Sequence, residues 1–308
     1  MAVITNPGTY AGEAARPYVA AAVLSADTIA NGYISVLENV HSKAVLRKFS
    51  GTALTAATCT FTDQNSLTLG EAVLEASPLQ VNEQVCNKDL RATWEAVQMR
   101  GQSSAAPADF TSYVAQYVAA KVAEGIEYNL WQGNFDSNGS GAGGAAYTSF
   151  DGICEKLKDG YNAGTMQQLA GPTTAANILT RLADLTAEAP TAIAGDPNAK
   201  IFMSRASAQL YYQAVAGDYQ LQFLNDGLVS RYAGYDIITP AGMPNDAFIL
   251  SRGENLYFGT DLLTDHIQAS VLDLSGVTGD DVTRVIMKFS GGTQVVDAAS
   301  AGFAYRVS

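Results

Sequence analysis

Thr58-Cys59-Thr60-Phe61-Thr62-Asp63-Gln64-Asn65-Ser66-Leu67-Thr68-Leu69 is the stretch on which the fold turns. Cys59 and Phe61 alternate with threonines at 58, 60 and 62. Asp63-Gln64-Asn65 is a turn signal, and Leu67 and Leu69 resume the alternation beyond it. A strand, a turn and a second strand are predicted, inside a strand-textured region from Val45 to Val85. After Pro78 the pattern returns as Leu79, Val81 and Val85, spaced by polar residues. Two-faced strands of this kind belong to a long hairpin or a small sheet. A local hairpin is stable only when packed on something. That partner is its own domain in a solitary molecule, or a neighbouring copy in an assembly.

Upstream, Met1 to Tyr10 carries Asn6-Pro7-Gly8 without periodicity and reads as an extended arm. Pro17 to Leu24 and Thr28 to Leu37 read as short helices, with Asp27 as the cap between them. Downstream lies the clearest helix. Pro107 and Asp109 open it, and Phe110, Val114, Val118, Val122, Ile126 and Leu130 recur at every fourth position. From Asp109 to Leu130 it would run about 30 Å at 1.5 Å per residue.

The glycine-rich segment Asp136 to Gly144 ends that helix and marks a boundary. Beyond it the spacing predicts a helix over Thr173 to Glu188, with Ile178, Leu179, Leu182 and Leu185 on one face. A short buried strand is predicted at Ala199 to Met203, then a helix from Arg205 to Ala216 capped by Ser204. Further strands are predicted at Tyr235 to Thr239, Phe248 to Leu250 and Leu256 to Phe258. Val285 to Phe289 and Thr293 to Val296 read as strands joined by a Ser290-Gly291-Gly292 turn, followed by a strand at Phe303 to Val307.

Hydrophobic residues make up 47% of the 308-residue chain and charged residues 16%, against roughly 25% charged in typical soluble domains. So few charges suit a subunit whose surface is mostly interface. A net charge of −12 argues against a dedicated nucleic-acid reader, which carries a basic face. DNA could still lie as a bulk neighbour, and Arg16, Lys43, Arg47 and Lys48 could either face a genome or be solvated surface. The three cysteines, Cys59, Cys86 and Cys154, form no CxxC pair and are expected as free thiols of a reducing compartment. The apolar run Tyr18 to Ala26 is too short to span a bilayer, and no basic leader precedes it, so folding in a cytoplasm is expected.

Chemical motifs are sparse. His41 and His266 have no cysteine or second histidine near them in sequence, and no GxSxG, HExxH or GK[ST] occurs. Gly139 to Gly144 satisfies GxGxxG, but it follows a helix and opens none, so it reads as a linker. Asp136 and Asn138 begin a calcium-like loop in which Tyr147 stands where a bidentate Glu is needed. Asp280-Asp281 and Asp261/Asp265 read as solvated turns. No catalytic, cofactor or metal residue is assigned, and no enzyme activity is expected.

The second half carries a resemblance. Asn198-Ala199-Lys200-Ile201-Phe202-Met203-Ser204 before a short helix resembles the central strand–helix step of tailed-phage major capsid proteins. Tyr232-Ala233-Gly234-Tyr235-Asp236-Ile237-Ile238, Gly242-Met243-Pro244 and Leu256-Tyr257-Phe258-Gly259-Thr260-Asp261 are similar to their following elements in order. The helix from Asp109 to Leu130 is similar to their spine helix, and Phe150-Asp151-Gly152-Ile153 to the step after it. Leu79 to Asn82 and Cys86 to Leu90 are similar to capsid proteins of phages infecting Bacteroidetes.

The resemblance implies an α+β chain of the Hong Kong 97 type fold. Its parts would be an N-terminal arm (1–43), an extended E-loop hairpin (44–85), a peripheral domain with the spine helix (86–144), an axial domain (145–252) and return strands to the peripheral domain (253–308). It implies pentamers and hexamers closing into an icosahedral shell around double-stranded DNA, held without sequence recognition. The implied setting is a virion capsid assembled in a host bacterial cytoplasm, with no membrane. Portal and decoration proteins are the implied partners. No long charged helical prefix precedes the arm, so a separate scaffolding protein is expected. No lysine lies between Gly51 and Cys86, so an E-loop lysine–asparagine crosslink is not available there.

Phe61, Leu67, Leu69 and Val73 are the candidate contacts between subunits; core of the chain's own domain is the competing reading. An encapsulin-type nanocompartment shell and a secreted β-rich surface protein remain as alternatives.

Overall fold

The computed structural model describes residues 9–11, 26–51, 67–88, 110–135, 148–159, 166–218, 231–261, 268–274 and 279–307. The strands, in chain order, are β1 (Thr9–Ala11), β2 (Ser35–Leu37), β3 (Lys43–Ser50), β4 (Thr68–Glu75), β5 (Ser77–Cys86), β6 (Met166–Ala170), β7 (Ala199–Met203), β8 (Arg231–Tyr232), β9 (Tyr235–Ile238), β10 (Ala247–Arg252), β11 (Leu256–Thr260), β12 (Gln268–Asp273), β13 (Val282–Val295) and β14 (Gly302–Val307). The architecture is mixed α+β, with two sheets, a separate hairpin and a long helix.

The long helix is Phe110–Gln132. Val118, Val122, Ile126 and Leu130 are all buried, as the four-residue spacing predicts. They pack with Trp131, Ile153 and Cys154 against Leu256, Phe258, Val285, Met287 and Phe289 of the first sheet. That sheet runs β1-β12-β13-β11-β2, and β5 also pairs with β13. β13 is its centre: β12 pairs with Thr283–Lys288 side by side, β5 along Val282–Gly291, and β11 along Gly291–Val295.

The second sheet runs β6-β14-β10-β7-β9-β8. Alternation along its strands serves two cores. Phe202, Ile249, Phe303 and Tyr305 face the core of the long helix. Ile201, Met203, Phe248, Leu250 and Ala304 face the helices Ile178–Ala187 and Arg205–Asp218 through Ile178, Leu182, Leu185, Ala208 and Tyr211. Ser204 caps the second of these helices, its Oγ accepting from the Ser207 amide at 3.1 Å.

Several sequence expectations are corrected. Thr28 to Leu37 is not a helix: a single helical turn, Asp27–Ala30, gives way to β2. β2 is stabilised by parallel pairing with β11, Ser35 opposite Tyr257, which local pattern cannot reveal. Asp27 is not a cap residue but the first residue of that turn. Ser290-Gly291-Gly292 is no turn either; it lies inside the continuous 14-residue strand β13. The region 44–85 is not one hairpin, because β5 leaves it to pair with β13. The segment 253–308 is divided between the sheets, since β14 lies in the second, between β6 and β10. Pro17 to Leu24, Cys59 and the glycine-rich segment lie outside the described residues. Cys86 and Cys154 are free thiols, and burial pushes the Cys154 thiol well up.

Candidate assembly surface

β3 and β4 form a two-stranded antiparallel hairpin in register from Lys43 opposite Glu75 to Ser50 opposite Thr68. The period of two gives it two faces with different fates. The inner face lies on the rest of the chain through Leu74, which is fully buried, and the half-buried Ala44, Leu46 and Lys48. Leu74 occupies a socket walled by glycines: a Cβ on Gly259 would collide with its side chain, and one on Gly292 with the neighbouring Glu75 carbonyl. This close approach is why glycines interrupt the centre of β13.

The outer face is exposed and alternates apolar with charged cross-strand pairs. Val45 stands opposite Val73, and Phe49 opposite Leu69. Leu67 extends the row just past the paired section. Exposure across these five ranges from 42% at Val73 to 74% at Phe49. Between them the face carries cross-strand ion pairs, Lys43 Nζ–Glu75 Oε1 at 2.5 Å and Arg47 Nε–Glu71 Oε1 at 3.7 Å. Lys43 holds the Glu75 carboxyl below its usual range. Among the described residues, the other exposed large hydrophobic is Tyr117 on the long helix.

Of the four residues singled out from sequence, Leu67, Leu69 and Val73 therefore share one exposed row, and Phe61 lies outside the described residues. Val45 and Phe49 were missed. Lys43 to Ser50 is apolar at both even and odd positions, so alternation alone does not tell the outer face from the inner. Lys43, Arg47 and Lys48, considered for a genome-facing role, are paired with Glu75, Glu71 and Asp297.

A buried polar node fixes Thr28, in the turn Asp27–Ala30, to the long helix. Glu127, 3% exposed, accepts from the Thr28 amide at 3.0 Å and the Trp131 indole at 3.2 Å, and also from the Thr28 hydroxyl. The indole donates to Thr28 Oγ1 as well, at 2.9 Å. Burial raises the Glu127 carboxyl above its ordinary range; the Thr28 and Trp131 hydrogen bonds oppose this without cancelling it. Each of these donors is answered inside the chain, so the node orders structure.

No group of His, Cys, Asp or Glu among the described residues could hold a metal ion, and no helix there is long and apolar enough to cross a membrane. His41 Nδ1 lies 3.1 Å from Asp261 Oδ2. His266 and Asp265 lie outside the described residues, and Asp280 and Asp281 are exposed at the entry to β13.

The fold is similar to that of chains in solved phage capsid particles. A chain of the satellite phage P4 procapsid, a particle including the size determination (Sid) protein, superposes with a TM-score of 0.66 at 13% identity, over 99% of this chain and 94% of that one. A chain of the native GTA particle capsid gives 0.57 at 13% identity, over 94% and 91%. One from the capsid of cyanophage P-SCSP1u gives 0.53 at 12%, over 89% and 86%. No protein-family model matches the chain, and no curated protein matches it in sequence.

Proposed function

We propose that this chain is the major capsid protein of a tailed phage, a non-enzymatic subunit of the Hong Kong 97 type. In this reading the hairpin β3–β4 is the E-loop, Phe110–Gln132 is the spine helix, and the unit built on the second sheet is the axial domain. Copies assemble into pentamers and hexamers of an icosahedral shell around double-stranded DNA. A separate scaffolding protein, a portal and decoration proteins are its expected partners, and the virion capsid, assembled in the host bacterial cytoplasm, is its location.

One observation carries the reading: an ordered hairpin presents a row of large apolar side chains to solvent in a chain that superposes along almost its whole length on a capsid particle's chain. Patches of this kind mark interaction surfaces. In a closed lattice each copy gives one hairpin and receives another, so modest contacts combine, and closed symmetry ends growth. Val45, Phe49, Leu67, Leu69 and Val73, and from the sequence Phe61, are the contacts we assign to the neighbouring copy.

The test is to express the chain with and without its co-encoded scaffold and image the products by negative stain. Closed shells of uniform diameter support the reading, and a monodisperse monomer at high concentration refutes it. The absorbance ratio of purified particles then separates a genome container from an encapsulin-type compartment filled with protein.

A further inference from the structure

The hairpin's inner face is held to its own subunit at two places of different chemistry. Near the base, Leu74 fills the socket beside Gly259 and Gly292. Four residues farther along the ladder, Lys48 forms an ion pair with Asp297. At about 3.3 Å per residue the two attachments lie some 13 Å apart along the strand. Among the described residues, the other charged pairs of the hairpin join its own two strands; Lys48 reaches the body.

Asp297 is a rigid receiver. Its carboxylate accepts from the Ala299 amide at 3.1 Å and from the Ser300 hydroxyl, capping the short 3-10 turn Ala298–Ser300. Its backbone is clamped by Asn255, whose Oδ1 accepts from the Asp297 amide at 2.8 Å and whose Nδ2 donates to the Asp297 carbonyl at 2.9 Å. Asn255 lies where the chain passes from β10 to β11, and Asp297 where it passes from β13 towards β14. Lys48 is thus tied to the point where two of the crossings between the sheets meet.

We propose that the Lys48–Asp297 pair is a latch that holds the hairpin down on its own subunit, and that releasing it lets the hairpin lift about the Leu74 seat. The seat is apolar and sealed, and it persists through changes of salt. The latch is a partly exposed ion pair, Lys48 retaining 34% and Asp297 15% of side-chain exposure, and it weakens as counterions screen it. A two-stranded hairpin off its support is only marginally stable, so lifting exposes its ladder to solvent. The latch stands without the shell reading; its consequence, that the angle offered to a neighbour is set inside the subunit, rests on that reading.

Hydrogen–deuterium exchange on the dilute, unassembled chain tests it, comparing wild type, Lys48→Met and Lys48→Arg at low and high salt. Lys48→Met is expected to speed exchange of residues 43–50 and 68–75 by about two- to fivefold at low salt, the range for an ion pair of this exposure. Exchange in β13 should not change. High salt should bring wild type towards the variant, and Lys48→Arg should behave as wild type. Hairpin exchange in Lys48→Met equal to wild type, or a rise shared equally by β13, overturns the latch. Because the measurement is made on single chains, a failure to form shells would refute the shell reading and leave this result standing on its own.

Discussion

Replacing both members of the outermost apolar cross-strand pair, Phe49→Ser with Leu69→Ser, separates assembly from folding. In the subunit Phe49 is 74% and Leu69 49% exposed, so the folded chain gains little from either. A neighbour that covers them removes the rest from water. Full burial of a Phe or Leu side chain contributes about 1.5–3 kcal/mol, so these exposed fractions sum to about 3 kcal/mol per contact. With one such contact given by each subunit, the threshold concentration for shells should rise roughly a hundredfold, at 1.4 kcal/mol per factor of ten. Surface substitutions cost the monomer within about 0.5 kcal/mol, so its Tm should hardly move. Light scattering across a dilution series and thermal unfolding of the dilute chain measure the two quantities separately. A large fall in Tm with an unchanged threshold would show that this face belongs to the subunit's own core and would refute the reasoning.

Other outcomes follow from the same geometry. Gly292→Val places a side chain against the Glu75 carbonyl and should cost about 1–3 kcal/mol by overpacking, read by chemical denaturation, with the hairpin ladder the first part to lose protection. Glu127→Gln replaces one of the two accepting oxygens by an NH2 that faces a Thr28 donor, leaving at least one buried group unmatched at about 1–3 kcal/mol. Its pH profile is also diagnostic. A carboxyl raised by burial binds its proton more tightly when folded, so its contribution is present at low pH and is lost as pH rises above the ordinary carboxylate range. Wild type should therefore show that decline and the Gln variant should not. Denaturing gels of assembled particles should show one band near the 32.3 kDa chain mass, because residues 51–86 contain no lysine; a covalent ladder contradicts this.

What could be read from the sequence was the part with local periodicity. Val118, Val122, Ile126 and Leu130 announce the long helix at a spacing set by the helix itself, and Ala199 to Met203 is recognisable as a buried strand because a continuous apolar run has few other uses. The assembly surface was half legible: Leu67, Leu69 and Val73 alternate visibly, whereas Val45 and Phe49 are hidden in a strand apolar on both sides. Partners distant in sequence defeated the rest. Ser35 to Leu37 becomes a strand through β11, more than 200 residues on. Gly291-Gly292 looks like a turn and is a place where the hairpin base presses on β13. In both cases a tertiary neighbour overrides local preference.

β14 sits between β6 and β10, yet it is made after both. A nascent chain still short of residue 302 holds those two strands with the slot between them vacant, and the side chains of Phe303 and Tyr305 are missing from the larger core. The second sheet can close only once translation has passed Val307. The strand made last is therefore an interior one, and β6 and β10 are joined only through residues 302–307.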